Sequence, residues 1–235
     1  MVRVTKAPEV RRAELLDVAS ELVEQVGFDR MSVEAVTRAA GVAKGTFYHY
    51  FSSKDELLYA LLERLGDGLA GHISSAVATT RGTATVRLQA LVDAAADYKT
   101  THASRYSSVS FLYRRENQLL RHRLYTVWAE ATRPVLLHLI QQGVADGSFA
   151  VLDTESAADA VLTLWYEGAD RLWLRAIAEP AADIFAEVLV TGGAGLKQAQ
   201  ERILGMPDGA IELVIDQKLV AAVTPLYHAT REVMS

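Results

Sequence analysis

No cysteine occurs among the 235 residues, which excludes disulfides, thiolate metal sites and cysteine nucleophiles and suits a reducing interior. No stretch approaches the roughly 18 apolar residues of a membrane span, and the start from Met1 to Glu9 carries charges where a secretory signal needs an unbroken apolar run. A cytoplasmic protein with no membrane partner is therefore expected. No segment alternates with period two, and neither an internal repeat nor a low-complexity linker interrupts the chain. An excess of positive charge is missing as well: 24 Lys and Arg face 29 Asp and Glu, a net charge of −5. Strong nucleic-acid binding then requires a local cationic face on an acidic molecule.

What is present is apolar and helical in pattern. Half of the residues are hydrophobic and 23% are charged, a balance that buries a core, and 25.7 kDa allows one or two domains. Leu15, Ala19, Leu22 and Val26 recur at steps of three and four, so residues 9–26 form an amphipathic helix that Gly27 stops. Ser32 is an N-cap for a short second helix ending at Gly41, and a third begins within two residues. Ser53 to Glu56 reads as a capping box that opens a fourth, leucine-rich helix. Acidic residues crowd the first helix, whereas Arg38, Lys44 and Lys54 mark the next ones with only Glu34 opposing. Arg3, Lys6, Arg11 and Arg12 form a basic arm that either reaches DNA or is an ordinary solvated terminus.

Turns are expected at residues 80–83, 146–148, 179–180, 192–195 and 206–209. A long helix should start near Thr154 and run through Trp165 and Trp173. Residues 210–234 should form a terminal helix kinked at Pro225, and Pro134 either separates two helices or bends one. The cluster Gly192 to Lys197 lacks Walker P-loop spacing and a preceding strand, so it is read as an interhelical turn.

The informative stretch runs from Ser32 to Leu57. In a helix Phe47 and Phe51 lie four apart on one side, while Lys44, Gly45, Tyr48 and His49 project on the other with Thr46 at the margin. A short helix with an apolar back and a polar, partly cationic front fits the DNA major groove.

This run resembles the head of the tetracycline-repressor (TetR) family of transcription regulators. The matching residues are Ala40-Gly41-Val42, Gly45-Thr46, Tyr48, Tyr50-Phe51, Ser53-Lys54 and Glu56. The phrase Gln142 to Gly147 is similar to the end of one body helix in that family. Two departures stand out: Ala43 replaces the usual small hydroxyl residue at the start of the recognition helix, and Thr37 replaces a usual alanine. The resemblance implies an all-α fold, with a three-helix helix-turn-helix head at 1–52 on a larger helical effector-binding and dimerisation body at 53–235. It implies phosphate contacts from Ser32, Tyr48, Tyr50 and Lys54, with Lys44, Gly45, Thr46 and His49 nearest the bases. The partners it implies are a palindromic double-stranded operator, a second copy of the chain and a largely apolar small-molecule effector. Repression would be relieved when the effector binds. The dimer face is expected on residues 155–178, helped by 181–200 or by the terminal helix.

Aromatic and polar residues of the body supply candidates for the effector site: Tyr98, His102, Phe111, Trp128 and Trp165, with Asn117, Arg121 and Glu167 as fixing groups. Each also has a plain reading as core or as a helix-helix hydrogen bond. The six histidines show no HExxH or comparable ligand pair, so no metal is expected, and no cofactor fingerprint occurs. No nucleophile with a base and no paired carboxylates can be assembled, so the chain reads as a non-enzyme. Two alternatives stay open: a TetR-like architectural or protein-binding factor without an effector pocket, and a helical enzyme whose head-like motif is accidental.

Overall fold

The computed structural model describes residues 7–102, 110–114, 117–212 and 217–234. Three helices form the head: α1 (Pro8–Val26) and the short α2 (Val33–Ala39) and α3 (Lys44–Tyr50). A long α4 (Lys54–Thr79) leads into α5 (Ala84–Thr101), a 3₁₀ turn (Ser110–Tyr113), α6 (Gln118–Asp146) and α7 (Thr154–Thr163). A single π turn (Leu164–Gly168) continues into α8 (Ala169–Ile177), followed by α9 (Ala182–Ile203) and α10 (Gln217–Met234). The fold is all-α; no strand occurs among the described residues, and no helix there is long and apolar enough to cross a membrane.

The helix starts follow from local chemistry. Pro8 stands in the first turn of α1, where no intrahelical donor is needed. Ser32 Oγ accepts from the Ala35 amide at 3.1 Å and Ser53 Oγ from the Glu56 amide at 3.0 Å. Glu56 reaches back to the amide of Ser52 at 2.6 Å, one residue before the cap, which satisfies a second orphan donor. Asp153 caps α7 through the amide of Ser156 at 2.7 Å. Gly27 and Gly41 close their turns at φ +77° and +65°, a region that strains side-chain-bearing residues.

Three apolar clusters result. The lower one joins the head to the first half of α4 and to Phe111, Leu112, Leu124 and Trp128. The upper one gathers the second half of α4 with α5, α6 and α7, and a lateral one holds α8, α9 and α10 around Trp173, Phe185 and Tyr227.

Two expectations are corrected here. Residues 192–195 are not a turn but lie inside α9. A Cβ at Gly192 would lie 2.2 Å from Leu172 Cδ1, so glycine there lets α9 approach α8 closely, a packing gain that offsets its poor helix propensity. The terminal helix does not begin at 210, because the amides of Gly209 and Ile211 are taken by the Glu201 carboxylate at 3.1 and 2.9 Å. Pro134 sits inside α6, which continues through it, and Pro225 likewise sits inside α10.

Candidate functional site

The two faces of α3 differ as its spacing predicts. Phe47 and Phe51 are fully buried, whereas Lys44, Gly45, Tyr48 and His49 are exposed and Thr46 is half-buried. Ala43 gives α3 no side-chain cap; the Thr46 amide bonds its carbonyl instead at 2.9 Å. Ser32 is exposed at the start of α2, and Tyr50 and Lys54 are half-buried. Thr37, the other departure, is buried and donates to the Glu34 carbonyl at 3.2 Å. The eight head candidates thus lie across α2, α3 and the start of α4. Arg12 lies over the Phe51 ring at 5.0 Å; Arg3 and Lys6 lie outside the described residues.

Two of the cations on this face are engaged. Lys44 meets Glu34 at 2.5 Å with both side chains more than half exposed. Their hydrogen bond pulls the Glu34 carboxyl below and pushes the Lys44 amine above its ordinary pKa. Lys54 lies 4.2 Å from the centre of the Phe28 ring and donates to the Asp29 carbonyl at 3.3 Å. Partial burial lowers its pKa, against the pull of Asp29 and Asp55. It therefore ties α4 to the turn after α1 as well as facing solvent. That turn also meets the body: Phe28 stacks on Phe111 with centroids 4.9 Å apart, and Asp29 pairs with Arg114 at 2.9 Å.

The eight body candidates do not converge on one pocket. Tyr98 stacks on His102 at 4.1 Å, and its hydroxyl donates to the Leu65 carbonyl of α4 at 3.4 Å. Trp128 donates from Nε1 to the Leu62 carbonyl at 3.3 Å. Both rings press on glycines of α4: a Cβ at Gly66 would lie 2.5 Å from Trp128, and one at Gly68 would lie 2.4 Å from the Tyr98 hydroxyl. Asn117 and Arg121 hold the 3₁₀ turn through the carbonyls of Phe111 and Leu112, each at 2.9 Å. Arg121 also pairs with Asp170 at 3.1 Å, and Tyr125 donates to the same carboxylate at 2.9 Å. Glu167 borders a cleft of about 280 Å³ together with Arg133 and Asp159.

Trp165 alone of the eight lines the apolar cavity of about 250 Å³ between α4, α5, the π turn and α9. Leu69 and Ile73 of α4 form part of its wall, and Thr132, Tyr166, Lys197 and Gln200 are its polar members. Sequence reasoning missed Gln200, Lys197, Gly66 and Gly68. Only the glycines left a signal, as a pair spaced by two in a leucine-rich helix.

The head matches the family model described as bacterial regulatory proteins, tetR family, over residues 15–61. The chain is similar to the HTH-type transcriptional repressor KstR2 of Rhodococcus jostii, at 31% identity over 160 residues that cover 65% of this chain and 75% of the relative. It is also similar to the HTH-type transcriptional regulator BetI of Escherichia coli, at 28% over 168 residues, 71% of this chain and 82% of the relative. Among solved structures, the fatty acid degradation regulator FadR from Bacillus halodurans shares the fold with a TM-score of 0.54 at 23% identity, covering 82% of this chain and 96% of that one. A protein from Rhodococcus sp. RHA1 shares it with a TM-score of 0.56 at 19% identity, over 97% of both chains.

Proposed function

The chain belongs to the TetR family of bacterial transcription regulators, and on that premise we propose that it is a repressor released from its operator by a small apolar molecule. Two copies pair through the body, with α7 and α8 as the first contact, helped by α9 or the terminal α10, and present two heads to a palindromic site. One short helix reads only a few base pairs, and a twofold dimer doubles the contact at a spacing of about one DNA turn, roughly 34 Å. Residues 1–52, with Lys54 at the start of α4, bind DNA, and the rest of 53–235 binds the effector and the partner copy, in the cytoplasm. Ser32, Tyr48, Tyr50 and Lys54 engage phosphates, and Lys44, Gly45, Thr46 and His49 face the base edges.

The observation that carries this reading is the course of α4. It begins at the DNA-facing Lys54 and reaches Leu69 and Ile73 in the cavity wall, a rigid connection of about 28 Å from Lys54 to Ile73. A ligand acts by binding the DNA-incompetent state more tightly than the competent one. Displacing Ile73 against Trp165 moves the helix that carries Lys54.

The test is selection of bound fragments from a genomic DNA pool by the purified full chain. Anisotropy titration of the selected duplex with and without apolar compounds follows. A palindromic site holding two chains, and loss of affinity with a compound that fills the cavity, are expected. Equal affinity for selected and unrelated DNA would overturn the reading. So would an Ala95→Phe variant, its cavity filled, that still responds to the compound.

A further inference from the structure

The cavity between α4, α5, the π turn and α9 is mostly apolar, and one of its wall residues, Gln200, carries an unmatched donor. Gln200 is 4% exposed, and its Oε1 accepts from Trp165 Nε1 at 2.7 Å. An indole N–H only donates, so the amide orientation is fixed with its oxygen toward Trp165. The Nε2 of Gln200 is buried and finds no acceptor among the described residues. A buried donor without a partner is costly, and such groups in native proteins call for an explanation.

The other polar groups of the wall are already satisfied. Thr132 Oγ1 donates to the Trp128 carbonyl at 2.8 Å and lies 2.8 Å from the Tyr166 hydroxyl. Lys197 lies 3.3 Å from the carboxylate of Glu201, a residue with no exposed surface that also receives the amides of Gly209 and Ile211. Burial raises the Glu201 carboxyl, but those two amides and Lys197 together outweigh it and hold its pKa below the ordinary value. The carboxylate stays ionised and neutralises Lys197. What the wall offers a ligand is apolar surface plus one neutral donor, the buried Gln200 amide, which a small shift of that side chain brings to the cavity.

We propose that this cavity takes a compact, uncharged, apolar compound bearing one carbonyl-type oxygen, which accepts a hydrogen bond from Gln200 Nε2. A volume of about 250 Å³ holds roughly ten to fifteen non-hydrogen atoms at interior packing density. A carboxylate is disfavoured because Lys197, the cation among the described lining residues, is already paired with Glu201, and its charge would be desolvated against Leu69, Leu91 and Leu172. The proposal deepens the effector reading above and rests on it in treating this cavity as the effector site.

Three probes of the same skeleton separate the possibilities: the ketone benzylacetone, the hydrocarbon butylbenzene and the carboxylate hydrocinnamate. Binding to the full chain is read by calorimetry and by tryptophan fluorescence, to which Trp165 in the cavity wall contributes beside Trp128 and Trp173. Benzylacetone is expected to bind about tenfold tighter than either of the others. Gln200→Leu should bring ketone and hydrocarbon within about twofold of each other. Gln200→Glu, which keeps an acceptor for Trp165 but replaces the donor, should also erase the margin. Equal binding of ketone and hydrocarbon to the unaltered chain, tightest binding of hydrocinnamate, or no binding by any probe would overturn the ligand class, whatever the variants do. Operator affinity is measured on the same samples. Binding in the expected order without loss of DNA supports the ligand class and sinks the effector reading. Operator release by butylbenzene or hydrocinnamate in preference to the ketone does the reverse.

Discussion

The rings of Phe47 and Tyr48 meet edge to face with centroids 5.4 Å apart, although Phe47 has no exposed surface and Tyr48 is 48% exposed. Adjacent residues of one short helix thus carry packing and surface chemistry separately. Tyr48→Ala should lower operator affinity by about 1–3 kcal/mol and change the melting temperature little. Phe47→Ala should destabilise the head by about 3–5 kcal/mol, because it empties a filled core position. Circular dichroism melting with operator titration on both variants checks this. The opposite pattern, early melting of Tyr48→Ala and selective DNA loss in Phe47→Ala, would turn the other face of α3 toward DNA.

Glu34 contacts a proposed base-facing residue through its 2.5 Å pair with Lys44. It neutralises that ammonium, and in the proposed complex it would place a negative charge beside the phosphates. Glu34→Gln should therefore tighten binding to operator and unrelated DNA alike, and steepen the log-log salt dependence by about one counterion. Titration at several salt concentrations is the measurement. Weaker binding would mean that the pair holds Lys44 in its reading position.

The head was legible because its determinants are local. The four-residue spacing of Phe47 and Phe51, the caps at Ser32 and Ser53 and the turns at Gly27 and Gly41 act within one turn of their own position. The body was less so, for a physical reason. Tyr98, Trp128 and Trp165 show the same periodic aromatic pattern, yet two brace α4 and the third lines a cavity, a difference decided by helices distant in sequence. Glycines at 192–195 read as a turn until Leu172 is seen packed on Gly192. Nothing in the sequence marks Glu201 as a fully buried carboxylate, because its partners are amides of the following loop.

Two glycines of α4 should respond to alanine with opposite signs. At Gly66 a Cβ would lie 2.5 Å from the buried Trp128 ring, whereas at exposed Gly71 nothing lies within 4 Å. Alanine favours a helix over glycine by about 1 kcal/mol. At Gly71 that gain should appear as a higher melting temperature. At Gly66 overpacking of about 1–3 kcal/mol should exceed it and lower the melting temperature. Stabilisation by Gly66→Ala would show that α6 yields and that Trp128 does not clamp α4.

Tyr113 and Tyr125 give the fold an alkaline limit. Their hydroxyls lie 3.2 Å apart. Burial pushes the Tyr113 phenol up to about 12 and raises that of Tyr125 well above its ordinary value. The unfolded phenol titrates near 10, so above that pH the native chain binds more protons than the unfolded one. The stability is fully present below about pH 10 and falls as pH rises toward 12, by up to about 1.4 kcal/mol per pH unit for each phenol. Urea unfolding across this range should show Tyr113→Phe with a shallower loss than the unaltered chain. An unchanged slope would mean that the Tyr113 phenol is solvated in the native state.

The stack of Phe28 on Phe111 at 4.9 Å joins the head to the lower body and should make them one cooperative unit. A single apolar cluster runs from Leu15 and Phe47 through Leu57, Leu58 and Leu62 to Phe111, Leu124 and Trp128. Helices that share a core open together, so amides around Phe47 and around Leu124 should exchange hydrogen with the same free energy in the unaltered chain. Phe111→Ala removes the largest body side chain stacked on the α1–α2 turn, at a cost of about 3–5 kcal/mol. The Asp29–Arg114 pair is partly exposed and restores little of it. The head amides should then exchange by a separate opening of lower free energy than those of α6. A Phe28→Leu and Phe111→Leu double-mutant cycle should give a coupling of about 0.5–1.5 kcal/mol for the stack. If the head already exchanges independently before any substitution, the turn after α1 does not join head to body. Motion of the body would then reach Lys54 through α4 alone.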